Sequence, residues 1–234
     1  GKPLYVRHEI VHNKYVVDSL SKKGAIFVEE LSEVPDNHKV VFSAHGVPPS
    51  VWNDADERGL KVIDATCPLV TKVHLESIKY SNEGFSVIVV GHEGHPEVIG
   101  TMGQSPRNSM LVGSLNDAQH VMPRNPDKVV ALTQTTLSVQ DTQAIIDVLR
   151  LRFPNLIARN DICYATTNRQ DAVKELATMV DVVLVIGAQN SSNCNRLREV
   201  AEAMGVRAYL INGPEELDAR WIEGCETIGV TSGA

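Results

Sequence analysis

Aromatic side chains make up only 5% of the 234 residues, so the core has to be built from Val, Ile, Leu and Ala. Cysteine is sparse as well. Four Cys at wide spacing do not form the disulfide framework of a small secreted domain. No apolar run approaches the ~18–20 residues of a membrane-spanning helix, and no signal peptide is present. A basic excess is missing too. The formal net charge is −7, whereas a nucleic-acid partner needs a positive surface. No G-x-G-x-x-G follows a strand-like run and no Walker A string occurs, so neither a dinucleotide nor an ATP site is supported. What remains is an enzyme-like chain with no nucleic-acid and no membrane partner, placed by default in the cytosol. Its length suits one large domain or two to three small ones.

Strand-like runs alternate with amphipathic runs throughout. Strands are expected at Leu4–Arg7, Val40–Ser43, Val62–Asp64, Ser86–Val90, Val129–Thr133, Val182–Ile186, Arg207–Ile211 and Thr227–Thr231. Several are continuous β-branched runs, as in Val87-Ile88-Val89-Val90, which suits parallel strands covered on both faces. Helical periodicity covers Lys14–Lys23, Thr71–Asn82, Ser138–Arg152, Arg169–Met179 and Asn195–Met204. The alternation predicts an α/β fold with parallel sheets. Composition breaks divide it into three modules, residues 1–67, 68–159 and 160–234. The chain enters a strand within its first residues and stops on Gly233-Ala234 where a strand should pass into a loop, which suggests that both ends are cut.

Two cysteines lie in matching surroundings, in Asp64-Ala65-Thr66-Cys67-Pro68 and in Asp161-Ile162-Cys163-Tyr164. Each ends a strand-like run, opens a helical run, and has a Thr four residues later. A thiol at a helix N-terminus feels the positive end of the peptide dipoles, which favours the thiolate, the ligand form for zinc and iron–sulfur clusters. Two small buried cysteines would give the same pattern.

Polar strings follow the strands: His8-Glu9-Ile10-Val11-His12, Ser43-Ala44-His45-Gly46, Gly91-His92-Glu93-Gly94-His95-Pro96-Glu97, Thr133-Gln134-Thr135-Thr136 and Gln189-Asn190-Ser191-Ser192-Asn193. All stand at the C-terminal ends of parallel strands, the edge where open α/β sheets bind ligands. The first matches the zinc-protease pattern H-E-x-x-H, which works only on a helix; here it follows a strand, and helical periodicity starts only after Asn13. The Gly91–Glu97 string reads as a turn, with Glu97 the better candidate acid because Pro96 stiffens its approach; a solvated loop is the plain alternative. Ser191, Ser192 and Asn193 before a helix make either a neutral anion pocket or ordinary capping. A zinc-dependent hydrolase built on the His and Cys residues is the rival enzyme reading, and a non-catalytic anion-binding module is the plain one.

The strings YVRHEIVHNKYVV, FSAHGV, DATCPLVTKVH, GHEGHPEVIGTMGQ, TQTTLSV, DICYATTNRQ and NSSNCNR together resemble the IspH/LytB family of 4-hydroxy-3-methylbut-2-enyl diphosphate reductases. The resemblance implies three small parallel-sheet α/β modules in pseudo-threefold arrangement around an iron–sulfur cluster. It implies reductive dehydroxylation of the allylic diphosphate to isopentenyl and dimethylallyl diphosphates, the last step of the methylerythritol phosphate route. Cluster ligation falls on Cys67 and Cys163. Diphosphate binding falls on His12, His45 and His95 with Ser191, Ser192 and Asn193. Glu97 is the implied proton source, with Thr135 positioning that region and touching substrate. The cluster is [4Fe-4S] in the complete protein; its third cysteine lies in a segment that would precede Gly1, and a substrate-binding Ser would follow Ala234. Cys194 and Cys225 are not implied ligands. A ferredoxin or flavodoxin is the implied electron donor.

Overall fold

The structure, a computed structural model, describes residues 3–233. Its first segment runs β1 (Leu4–Arg7), α1 (Lys14–Lys22), β2 (Ala25–Val28), β3 (Lys39–Phe42), α2 (Pro49–Glu57) and β4 (Lys61–Asp64). The second runs α3 (Pro68–Asn82), β5 (Ser86–Val90), α4 (Pro96–Gln104), β6 (Ser109–Val112), α5 (Leu115–His120), β7 (Val129–Thr133), α6 (Val139–Arg152) and β8 (Ile157–Ala158). The third runs α7 (Tyr164–Ala177), β9 (Val182–Ile186), α8 (Ser192–Ala203), β10 (Arg207–Ile211), α9 (Ala219–Ile222) and β11 (Ile228–Ser232).

Three small sheets form among the described residues, in the orders β2-β1-β3-β4, β6-β5-β7-β8 and β10-β9-β11. Every pairing within them is parallel. The α/β class read from the sequence is therefore the observed one. Central strands β5, β7 and β9 are almost wholly buried, as their unbroken apolar runs require. By internal contacts the chain forms two compact units. One is Gly1–Ile10 with Lys23–Ile162, the other Val11–Lys22 with Cys163–Ala234. The first holds two sheets and three apolar clusters, around Phe42, around Leu149 and around Val89. The second holds the third sheet, with Leu197 and Val185 at its centre.

The strand orders fix where ligands can bind. In each sheet the connection reverses direction beside the strand that comes first in the chain: between β1 and β3, between β5 and β7, and between β9 and β11. Such a switch point opens a crevice at the carboxyl ends of its two strands. His8 and Ser43–His45 follow β1 and β3, Gly91–Glu97 and Gln134–Thr135 follow β5 and β7, and Gly187–Asn193 follows β9. The polar strings thus occupy the switch point of each sheet.

Several elements differ from expectation. Strands β2, β6 and β8 and helices α2, α4, α5 and α9 carry too few periodic positions, or too many Gly and Pro, to stand out locally. Helix α7 starts at Tyr164 rather than Arg169, and α8 at Ser192 rather than Asn195. Their first turns are polar, and cap hydrogen bonds rather than apolar periodicity define them. Residues His8–Asn13 form bends, not a helix, and His8 takes φ 59°. Asn13 caps α1 by accepting from the Val16 N–H at 3.2 Å. H-E-x-x-H thus lacks the helical face that a zinc protease needs.

Candidate functional site

In the first unit, His95 is the N-cap of α4. Its Nδ1 accepts from the Glu97 N–H at 3.2 Å. A ring nitrogen that accepts leaves the proton of the neutral imidazole on Nε2, as a donor. The His45 ring meets that of His95 edge-on, with centroids 5.6 Å apart. Nδ1 of His45 lies 3.2 Å from the Ser43 hydroxyl. Both histidines are half-buried.

Glu97 is not in a solvated turn. It sits in the first turn of α4 and is 3% exposed. Thr135 grips its carboxyl twice: the backbone N–H donates to Oε1 at 2.6 Å and the hydroxyl to Oε2 at 3.0 Å. Burial raises the Glu97 pKa to about 7 against those two bonds, and Asp161 raises it further by charge. A carboxyl titrating near neutrality beside a hydroxyl is built to hold and release a proton.

Asp161, Gln134 and Lys72 were not legible as site residues. Asp161 and Thr133 exchange bonds: the Asp161 N–H donates to the Thr133 hydroxyl at 3.1 Å, and the Thr133 N–H to Oδ2 at 3.4 Å. Lys72 Nζ lies 3.0 Å from Asp161 Oδ1. Desolvation raises the Asp161 pKa, opposed by Lys72. Gln134 Oε1 accepts from the His92 N–H at 3.0 Å, joining the ends of β5 and β7. Asp161 stands two residues before Cys163, the only hint its sequence carried.

The matched cysteine surroundings are a matched structure. Cys67 caps α3 and Cys163 caps α7. Thr71 and Thr167 each donate their hydroxyl to the carbonyl of the capping Cys, at 3.4 Å in both. Both thiols are free and partly exposed. In the second unit Cys163 Sγ accepts from the Thr166 N–H at 3.2 Å.

The other second-unit candidates gather on α8 and before α1. Ser191 caps α8 by accepting from the Cys194 N–H at 3.3 Å. Ser192 opens the helix and Asn193 lies in its first turn, with a buried Oδ1 that no described group bonds. Helix α8 packs against α7, the helix of Cys163. His12 is half-buried in the bend before α1. Cys194 is 1% exposed, with Sγ lodged against Gly187 and Gly233. It is a packing residue.

Parallel α/β sheets with polar switch points, a buried carboxyl titrating near pH 7 and free thiols on helix N-termini define a class: an α/β enzyme suited to proton-coupled chemistry on an anionic ligand. The chain belongs to the LytB protein family, which it matches over residues 1–234. It is 57% identical over 240 residues to the 4-hydroxy-3-methylbut-2-enyl diphosphate reductase of Saccharophagus degradans, covering 100% of this chain and 77% of that one. It is also 57% identical to the reductase of the same name from Pseudomonas aeruginosa strain LESB58, over 100% of this chain and 76% of that one. Among solved structures it resembles the E-1-hydroxy-2-methyl-but-2-enyl-4-diphosphate reductase of Plasmodium falciparum, with TM-score 0.96 and 39% identity over 100% of this chain and 74% of that one. A second, described as the terminal enzyme of the non-mevalonate pathway, gives TM-score 0.67 and 34% identity, over 99% and 82% of the two chains. The zinc-hydrolase alternative finds no support in these likenesses, and the bend at His8–Asn13 removes its motif.

Proposed function

We infer that the chain is an oxidoreductase that removes the hydroxyl of 4-hydroxy-3-methylbut-2-enyl diphosphate reductively, yielding isopentenyl and dimethylallyl diphosphates in the terminal step of the non-mevalonate route. The observation that carries this reading is the buried Glu97–Thr135 pair, set in a chain that matches the named reductases over its whole length. Losing a hydroxyl as water takes two electrons and two protons, and Glu97, its pKa raised to about 7, can take up and give one of those protons near neutral pH.

An iron–sulfur cluster, the proposed cofactor, would supply the electrons. Cys67 and Cys163 are the proposed ligands. Their chemistry fits: both are free, partly exposed thiols capping helices, where the dipole favours the thiolate that iron requires. The chain's own residues do the rest. Thr135 holds the Glu97 carboxyl in one orientation and offers its hydroxyl as the bridge for the proton. Nε2 of His95, fixed as a donor, and the His45 ring are the proposed diphosphate donors of the first unit. His12, Ser191, Ser192 and Asn193 are those of the second, where the α8 N-terminus adds the positive end of its peptide dipoles. The three modules, 1–67, 68–159 and 160–234, are proposed as repeats of one sheet-and-switch-point plan. Ferredoxin or flavodoxin is the proposed electron donor and the cytoplasm the proposed location. No helix of the described residues is long and apolar enough to cross a membrane.

The test is anaerobic turnover of the full-length protein with a reduced viologen dye. Two dye equivalents oxidised per hydroxyl lost, with both isomeric diphosphates formed, supports the reading. Dye oxidation that does not depend on the allylic diphosphate overturns it.

A further inference from the structure

His74 lies on α3, seven residues after the capping Cys67 and so on nearly the same helix face. Its ring meets the two segments that carry the first unit's histidines. One is Gly46, directly after His45. A Cβ there would come within 2.6 Å of His74 Cε1 and 3.2 Å of Nε2. The other is Gly100 of α4, the helix capped by His95 and bearing Glu97. A Cβ there would lie 3.2 Å from His74 Nε2 and 3.3 Å from the Gly46 carbonyl. The missing side chains at both positions form the slot for the imidazole.

A second residue ties the same parts. The Gln104 side-chain amide, at the end of α4, lies 3.2 Å from His74 Nδ1, 3.1 Å from the Val47 carbonyl and 3.0 Å from the Gly100 carbonyl. The ring therefore contacts α3, the turn after β3 and α4 at once. Nothing in the sequence distinguishes it from any other helix histidine.

We propose that His74 is a positioning residue for the diphosphate donors: clasped between Gly46 and Gly100 and tied by Gln104, it sets how His45 and His95 face each other. It touches no substrate. The Gln104 amide nitrogen, with two N–H shared among Nδ1 and the two carbonyls, holds the Nδ1 edge of the ring, and Nε2 is enclosed with no described partner. Burial lowers the His74 pKa to about 4, so the ring is neutral in the working range and acts through shape rather than charge. A residue placed here controls the spacing of His45 and His95, which lie 5.6 Å apart, and through α4 the seat of Glu97.

This inference rests on the proposed role of His45 and His95 as diphosphate donors. Its test is a coupling measurement on the full-length protein, with inorganic diphosphate as the probe and calorimetry as the readout. His74→Ala is expected to weaken diphosphate binding about tenfold, the size of one misplaced charged hydrogen bond. In a His45→Ala background the same change should cost less than about threefold, because one of the two donors it positions, and the His45–His95 spacing it sets, is gone. Gly100→Ala, which presses a methyl on both Nε2 and the Gly46 carbonyl, should reproduce the loss at a small cost in melting temperature, the helix gain partly offsetting the overpacking, and it replaces His74→Ala should that variant fail to fold. Independent, multiplying losses in the double variant, or unchanged affinity in the foldable single variant, would remove His74 from this role. If His45→Ala by itself leaves diphosphate binding unchanged, the donor assignment falls, and the role of His74 with it.

Discussion

Thr135 holds Glu97 by both oxygens, one through its backbone N–H and one through its hydroxyl, inside a site that leaves Glu97 3% exposed. Burial and bonding therefore act in opposite directions on one carboxyl. Burial wins, and the pKa rises to about 7.

Glu97→Gln keeps both contacts, since the amide oxygen can accept from the Thr135 N–H and the amide nitrogen donate to its hydroxyl. It cannot deliver a proton. Turnover is expected to fall by about 100-fold or more, with diphosphate affinity held within about threefold. A variant with near-parent kcat would show that the proton comes from elsewhere.

Stability follows the same residue with a definite sign. The native state holds the Glu97 proton up to about pH 7, whereas the free carboxyl loses it near its ordinary 4.5. Between these values the folded state binds more protons than the unfolded one, so this group's contribution to stability falls as pH rises through the window. Glu97→Gln should therefore be more stable than the parent at pH 8, by on the order of 2–3 kcal/mol, and should show no such gain at pH 4. Urea melts at the two pH values decide it, and an equal difference at both would contradict the buried titration.

The acid role also sets the pH profile. Turnover should be flat at low pH and decline above about 7, as the Glu97 proton is lost. Thr135→Val removes the hydroxyl bond that favours the carboxylate while leaving the N–H bond in place. Its declining limb should move to higher pH, with kcat reduced about tenfold by loss of the bridging hydroxyl. A limb that stays in place would uncouple Thr135 from the titrating group.

Cys67→Ser and Cys163→Ser, each in the full-length protein, are expected to lose bound iron and sulfide, because a hard hydroxyl replaces a soft thiolate. Cys194→Ser should retain both, since its Sγ is enclosed by Gly187 and Gly233. Iron and acid-labile sulfide content measured after anaerobic purification separates these outcomes; full retention in both ligand variants would remove the two cysteines from the metal site.

The packing role of Cys194 has its own test. A Cβ on Gly187 would lie 2.2 Å from Cys194 Sγ, so Gly187→Ala should destabilise the protein by about 1–3 kcal/mol. Adding Cys194→Ala should recover most of that loss, because the sulfur is the obstructing atom. Denaturant melts of the single and double variants measure the recovery, and none at all would mean that the strain lies in the backbone.

Much of this molecule is local and could be read from one dimension. Strands β5, β7 and β9 lie where their β-branched runs put them, because a strand buried on both faces must be apolar along its length. The matched surroundings of Cys67 and Cys163 were equally legible, since a cap and the Thr one turn later belong to a single helical turn, although the helical periodicity itself became visible only from Thr71 and Arg169. The family resemblance rested on such strings. What the chain could not state by itself was the environment of a side chain. Helix α4 is invisible to propensity because Gly100 and Gly103 weaken it, yet those glycines allow the close packing that holds it: a Cβ on Gly103 would meet Pro48 at 2.3 Å. Glu97 therefore looked like a turn residue when it is the buried acid. Asp161, Lys72, Gln134 and His74 act on partners between 28 and 89 residues away, or on backbone that passes close to them. Sequence determined the central strands and the residue types at their ends. Only tertiary structure decided which of those residues lost water, because desolvation is set by what packs around a group and not by its neighbours in the chain.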